Sequence, residues 1–368
     1  GQFDSVRLMT GINPEGFCWK LNPGESFQTP EAVLVYSAEG LNGMSHAFHD
    51  LYREHLIRGE YRDKKRPILI NNWEATYFNF NTEKLLDIAR EASKLGIEML
   101  VMDDGWFGNR YDDNRALGDW FVNEEKIQGG LKYLVDEVNK LGMKFGIWFE
   151  PEMISEKSDL YEAHPDWAIA IPGRPSKLGR HQMLLDMCNP NVVAYLKNMF
   201  DGILSRYDLD YIKWDCNRQM SEHFSNALPA DRQGELTHRY ILGVYELLDH
   251  VTTKYPNVFI EGCAGGGGRY DCGMMYYTPQ IWTSDDTDAI MRSGIQTSVS
   301  YGYPAASYTC HVSDVPNHQT LRSTPLETRY NIACFGCLGY EFNLCNMSEE
   351  ELQAVYDLIM DSLYEEEY

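Results

Sequence analysis

Apolar residues in this chain gather into short runs, each ending on a polar or acidic residue, with helically spaced stretches between them. The runs are Ile68–Trp73, Glu98–Met102, Lys144–Phe149, Leu184-Leu185, Leu209–Ile212, Val258–Cys263, Pro279–Trp282, Cys310–Ser313 and Gly339–Phe342. Helical spacing covers Thr82–Leu95, capped by Asn81 or Thr82, and then Leu131–Leu141, Asn191–Tyr207 and Glu235–Lys254. Apolar strands alternating with helices predict parallel pairing, because each helical crossover returns the chain to the same end of the sheet. About eight such units predict a closed (β/α)8 TIM-type barrel of the α/β class rather than an open sheet. Trp73, Asp103, Asp104, Trp148, Glu150, Asp215, Cys263 and Asp285 all fall at or just after the C-terminal ends of these runs. In a barrel of parallel strands that end is the functional face.

The stretch before the barrel reads differently. Val6–Met9, Phe17–Lys20 and Ala32–Tyr36 alternate like strands and are broken by turns containing Gly, Pro and Asn. A helix follows near Gly43–Arg58. The polar stretch Tyr61–Pro67 marks a domain boundary, so residues 1–64 form one unit and 65–368 the barrel.

Charge narrows the partners. The chain has 55 acidic against 32 basic residues and a formal net charge of −23, which argues against nucleic acid and suits a neutral ligand such as a sugar. Part of this charge lies in the end segment Glu365-Glu366-Glu367, read as a solvated tail. The nine cysteines are an odd number, many sit in apolar runs, and Cys334–Cys337 is a lone CxxC. They read as reduced, buried thiols of a cytoplasmic protein. No run is long and apolar enough for a membrane span, and no signal-peptide pattern opens the sequence.

Two carboxylates dominate the candidate chemistry. Asp215 follows Lys213 by two positions, so on a strand both side chains face the same way, and the cation would keep the acid ionised as a nucleophile requires. A structural ion pair is the alternative. Asp285 and Asp286 are adjacent, and two neighbouring acids raise each other's pKa, which suits a proton donor. The alternative there is a helix cap opened by Asp286-Thr287-Asp288. Asp103-Asp104 and Glu150-Pro151-Glu152 fit either sugar hydroxyls or a magnesium ion, with Trp73, Trp106 and Trp148 favouring a sugar. Gly265–Gly268 lacks the spacing of a dinucleotide or P-loop site and reads as a loop that lets backbone approach a ligand closely.

Several long segments together resemble the α-galactosidases of glycoside hydrolase family thirty-six. They are Asn71–Thr76, Met102–Gly108, Gly146–Met153, Tyr211–Arg218, Glu261–Arg269, Trp282–Asp288 and Pro316–Thr320. The resemblance runs from about residue 1 to the end. It implies a retaining exo-α-galactosidase acting on melibiose- or raffinose-type oligosaccharides, with Asp215 as nucleophile and Asp285 as general acid/base. It further implies that Asp103 and Asp104 bind galactose hydroxyls, that Trp148, Arg180, Lys213, Cys263 and Gly265 line the pocket, that Trp73 is its apolar wall and that Asn217 adds a polar contact. No metal or organic cofactor is implied. Residues 1–64 would be the C-terminal remnant of a β-sandwich domain with a linker helix, and the full-length protein a homo-oligomer, a tetramer. The same carboxylates would also serve a raffinose- or stachyose-synthase-like transglycosidase; a non-catalytic galactose-binding barrel is a further alternative.

Overall fold

The computed structural model describes residues 7–365. Ten strands occur: β1 (Leu69–Asn71), β2 (Met99–Met102), β3 (Lys144–Phe149), β4 (Met153–Ile154), β5 (Met183–Leu184), β6 (Tyr211–Trp214), β7 (Phe259–Gly262), β8 (Gln280–Trp282), β9 (Tyr308–Ser313) and β10 (Cys337–Glu341). Eight of them close into an all-parallel barrel in the order β1-β10-β9-β8-β7-β6-β3-β2. The α/β barrel class read from the alternation is the observed one.

The run at Leu184-Leu185 is not a barrel strand. It belongs to β5, which pairs antiparallel with β4 in a small ribbon outside the barrel. With two residues it is too short to cross the barrel wall. Asp186 beyond it is buried and accepts from Ser225 Oγ and the Cys188 N–H.

The segment expected to be β material forms no strand among residues 7–39. Val6 lies outside the described residues, as do Glu366 and Glu367 of the acidic end. The reason is pairing. Cys18 N–H donates to the Gly234 carbonyl and Lys20 N–H to Glu235, so this stretch docks on the approach to helix Leu236–Lys254 instead of on a neighbouring strand. Leu34 and Tyr36 stay exposed. The next helix, Gly40–Leu51, runs into a single wider turn at Tyr52–Leu56.

Alternation along each barrel strand sorts side chains into an outer shell and an inner column. On β6, Ile212 and Trp214 face outward, where Trp214 stacks on Phe200 of helix Pro190–Leu204. Tyr211 faces inward with Leu69, Met99, Val101 and Phe259, and Tyr61 closes this apolar layer from below. Glycine makes room for the rings: a Cβ at Gly146 would stand 2.7 Å from Tyr211 Cδ1. The layer above is polar. Gln280 Nε2 donates to Glu261 and to Thr309, and His311 Nδ1 lies 2.8 Å from Glu341 Oε2. Apolar runs gave no hint of it, because Glu261, Gln280, Thr309 and His311 are inward polar members of runs whose outward members Ile260, Ile281, Cys310 and Val312 are apolar. Among the described residues no helix is long and apolar enough to cross a membrane.

Two helix glycines separate packing from propensity. A Cβ at Gly243 would meet the Met187 carbonyl oxygen at 2.1 Å, whereas Gly202 has nothing within 4 Å. Gly243→Ala is therefore expected to destabilise the fold by roughly 1–3 kcal/mol through overpacking. Gly202→Ala is expected to stabilise it by about 0.5–1 kcal/mol. Urea midpoints of the two variants against wild type check both signs.

Candidate active site

The inner column of β6 continues past the strand, so Tyr211, Lys213 and Asp215 stack toward the C-terminal face. Asp215 is buried there among donors. Trp148 Nε1 reaches its Oδ2 at 3.2 Å, Asn217 Nδ2 reaches the same oxygen at 2.6 Å, and the Cys216 N–H reaches Oδ1 at 2.8 Å. These N–H groups fix the direction of the carboxylate.

Lys213 does not pair with Asp215. Its Nζ lies 2.9 Å from Asp103 Oδ2, which also accepts from Asn71 Nδ2 at 2.6 Å. The expected cation–acid pair fails because Asp103, at the end of β2, reaches past β3 to the lysine on β6, while three N–H donors already occupy Asp215. Burial alone would lower the Lys213 pKa, but Asp103 and the surrounding Cys263, Glu341 and Asp215 outweigh it and hold the ammonium well above its ordinary pKa. Asp104 is held from behind by Arg110 in a fork, with Nε at 3.0 Å from Oδ1 and Nη2 at 2.8 Å from Oδ2. Burial nonetheless raises the Asp104 carboxyl.

Asp285 follows β8 and accepts from Trp282 Nε1 at 3.0 Å. Its side chain lines the cavity and is reached by water, while the protein packed around it displaces part of its hydration. That desolvation, and then the charge of Asp215, raise its carboxyl above the usual range. Asp286, the neighbour expected to do this, is not among the main causes of the shift; its Oδ1 accepts the Asp288 N–H. The helix Ala289–Ser300 is capped by Asp288, which accepts from the N–H groups of Ile290 and Met291.

These groups converge on one cavity of about 230 Å³. Trp73, Asp103, Asp104, Trp148, Arg180, Lys213, Asp215, Asn217 and Asp285 all line it. Cys263 and Gly265 do not. Cys263 is buried beside Asp215, whose charge helps push its thiol up after burial itself. Gly265 stands behind Asn217, where a Cβ would meet Asn217 Oδ1 at 3.8 Å. The other glycines of that loop admit neighbouring backbone rather than a ligand: a Cβ at Gly266 would stand 2.7 Å from Ser284 Cα. Trp106 is fully buried in the core and donates to the Trp148 carbonyl. Glu150 and Glu152 also stay out of the cavity. Glu152 is taken by Arg269, Trp214 and Tyr240, and Glu150 by Asn217 and Gln182.

Six lining residues escaped the sequence reading: Glu74, Trp282, Thr287, His318, Gln319 and Glu341. Trp282 and Glu341 sit at strand ends, the same signal that exposed Asp103. Glu74 follows Trp73, accepts from Thr287 Oγ1 at 2.6 Å and from the Asp314 N–H at 3.0 Å, and faces His318 Nδ1 at 3.4 Å. Burial, reinforced by Glu341, raises it to about 7. Burial raises Glu341 to about 8. The two acids therefore carry protons at or near neutral pH, which lets them donate as well as accept.

A turn over the cavity mouth carries Arg180. Arg180 and His181 are both left-handed, with φ of 51° and 59°. That conformation costs roughly 1–2 kcal/mol for each non-glycine residue. Asn217 Oδ1 is buried without a hydrogen-bond partner among the described residues. A buried acceptor left open beside a cavity is a place for a ligand hydroxyl.

Residues 26–366 match the Melibiase family. The α-galactosidase AgaA of Geobacillus stearothermophilus is 53% identical over 352 residues, covering 96% of this chain and 48% of that protein. Mel36A of Lactobacillus acidophilus is 52% identical over 354 residues, with 96% and 48% coverage. The crystal structure of AgaA superposes with a TM-score of 0.94, covering 96% of this chain and 49% of that one. The α-galactosidase of Lactobacillus brevis gives 0.95, at 52% identity, with 96% and 47% coverage. The chain thus spans about half the length of the curated relatives it matches. By sequence and by fold, it belongs to the Melibiase family.

Proposed function

We propose that this chain is the catalytic barrel of a retaining exo-α-galactosidase that cleaves terminal α-galactosyl residues from melibiose- or raffinose-type oligosaccharides. The carrying observation is that Asp215, oriented by three N–H donors, and Asp285, its carboxyl raised, line one small cavity. In this reading Asp215 attacks the anomeric carbon while Asp285 protonates the leaving oxygen, and Asp285 then takes the proton of the incoming water. A volume of about 230 Å³ falls below the roughly 300–1,000 Å³ of pockets for drug-sized ligands, which suits a single hexose ring. Asp103, Asp104, Lys213, Arg180 and the open Asn217 Oδ1 supply polar contacts for its hydroxyls, with Trp73 and Trp148 as apolar walls. No cofactor takes part.

Relatives support the reading. Crystals of AgaA variants hold raffinose and stachyose, and the aspartates replaced in those two variants are spaced along AgaA as Asp215 and Asp285 are here. We further propose that residues 1–64 belong to a β-sandwich unit and its linker helix, with 65–368 as the barrel. Exposed Leu8, Met9, Leu34 and Tyr36 suit a segment that the rest of a longer, homo-oligomeric protein covers. Free thiols at Cys263 and Cys310 in the core suit the cytoplasm.

Hydrolysis of p-nitrophenyl α-galactoside followed by NMR is expected to release α-galactose first; β-galactose as first product refutes the double displacement. Asp215→Ala is expected to abolish turnover while keeping galactose binding in calorimetry. Asp285 must hold its proton for the first step, so kcat/KM is expected to fall as pH rises through its raised pKa. Asp285→Asn should lose about 10²–10⁴-fold toward substrates with poor leaving groups, and its residual activity should lack that alkaline limb.

A further inference from the structure

We propose that Glu150 is the positioning residue of this cavity: one carboxyl oxygen at the end of β3 fixes both the turn that carries Arg180 and the loop that sets Asn217 against Asp215. The inference rests on the galactosidase reading and adds to it a residue that does not touch the sugar. Glu150 Oε1 accepts the backbone N–H of Asn217 and, at 2.6 Å, Gln182 Nε2. The two donors come from separate loops, and each loop delivers one lining residue.

On the first loop, the held backbone of Asn217 directs its side chain two ways. Nδ2 donates to Asp215 Oδ2 at 2.6 Å, and Oδ1 is left open. On the second loop, Gln182 closes the turn. Gln182 N–H donates to the Gly179 carbonyl at 3.1 Å, and Gly179 N–H donates back at 3.4 Å. Between them lie the two left-handed residues Arg180 and His181. A turn in that conformation persists only when its surroundings hold it. The Gln182 side chain ties it to the barrel wall through Glu150. Arg218 supplies a tie between the two loops themselves, donating to the Lys177 carbonyl and to Glu222, which in turn accepts the Lys177 N–H.

The chemistry of the anchor follows. A single oxygen can receive both donors whether the group is a carboxylate, a carboxylic acid or an amide; an alkyl side chain cannot. Burial, and then the charge of Asp215, raise Glu150 to about 8. Below that pH the group is neutral and still accepts; above it a second negative charge stands beside Asp215. Gln is therefore the mimic of the neutral anchor.

The test compares wild type with Glu150→Gln, Glu150→Ala and Gln182→Ala. Its readouts are kcat and KM on p-nitrophenyl α-galactoside across pH, calorimetric affinity for galactose, and thermal unfolding. Glu150→Ala is expected to lose about 10²-fold in kcat/KM, the effect of a small misplacement of reacting groups. Glu150→Gln is expected to recover most of that loss below pH 7, with an altered alkaline limb. Gln182→Ala, which frees the Arg180 turn alone, is expected to raise KM and weaken galactose binding more than it lowers kcat. Combining Glu150→Ala with Asn217→Ala should cost less than the sum of the two, since the second change removes what the first one positions. If Glu150→Ala does not fold, Glu150→Gln and Gln182→Ala decide. A wild type that hydrolyses normally, with an unaffected Glu150→Ala, a Gln182→Ala of unchanged KM or additive double variants, overturns the positioning role alone. A wild type that neither hydrolyses nor binds galactose overturns the galactosidase reading and the positioning role with it.

Discussion

Charge crowding governs this molecule. Six carboxyl side chains line one small hollow, with Lys213 and Arg180 as the cations beside them. They cannot all be ionised at close range, so the surroundings sort them. Asp103 has the Lys213 ammonium and Asp104 the Arg110 fork. Asp215 has three N–H donors. Glu74 and Glu341, buried with weaker compensation, keep their protons near neutral pH. Asp285 sits between these regimes, with desolvation and then Asp215 raising it and Lys213, the Trp282 hydrogen bond and Arg180 lowering it. Carboxyls tied to cations or N–H donors thus stand beside carboxyls raised by burial before any ligand enters.

That sorting depends on the column beneath it. The barrel axis is filled in layers: an apolar plug of Tyr211, Phe259 and Tyr61, then a polar layer of Glu261, Gln280, Thr309 and His311, then the hollow. The plug shields the polar layer from water below. Most polar atoms there pair inside the protein, while Gln280 Oε1 and His311 Nε2 are buried without a partner among the described residues. His311 shows the pressure: burial drives its imidazole down to about 3, so it stays neutral beside Glu341.

Much of this was legible in the chain. Strand-helix alternation gave the barrel, because outward strand residues pack on helices and must be apolar. Position at a strand end gave Asp103, Asp104, Trp148, Asp215 and Asp285, since that location follows from topology alone. Pairing did not follow. Lys213 sits two residues from Asp215 yet bonds to Asp103, and only the strand order, with β3 alone between β2 and β6, brings the two within reach. The charge neighbours of Asp285 were misread for the same reason: the adjacent Asp286 points elsewhere, and the distant Asp215 matters. Glu74, Thr287 and His318 were missed because they lie on loops and a one-turn helix that carry no periodic signal. Arg180 had no local signature at all and was reached through resemblance. The early alternating runs misled because alternation describes a strand's faces and not whether a partner strand lies beside it.

The hollow is blind. Its floor is the Glu341–His311–Lys213 layer, and nothing can thread through that floor toward the apolar plug. On the proposed galactosidase reading, a guest of any length would present its tip, insert one ring and leave the remainder in solvent. On the proposed reading such a site would count ends, not length: a branched polymer would offer it more work than a linear one of equal mass, and each encounter would trim a single unit before the shortened chain re-enters.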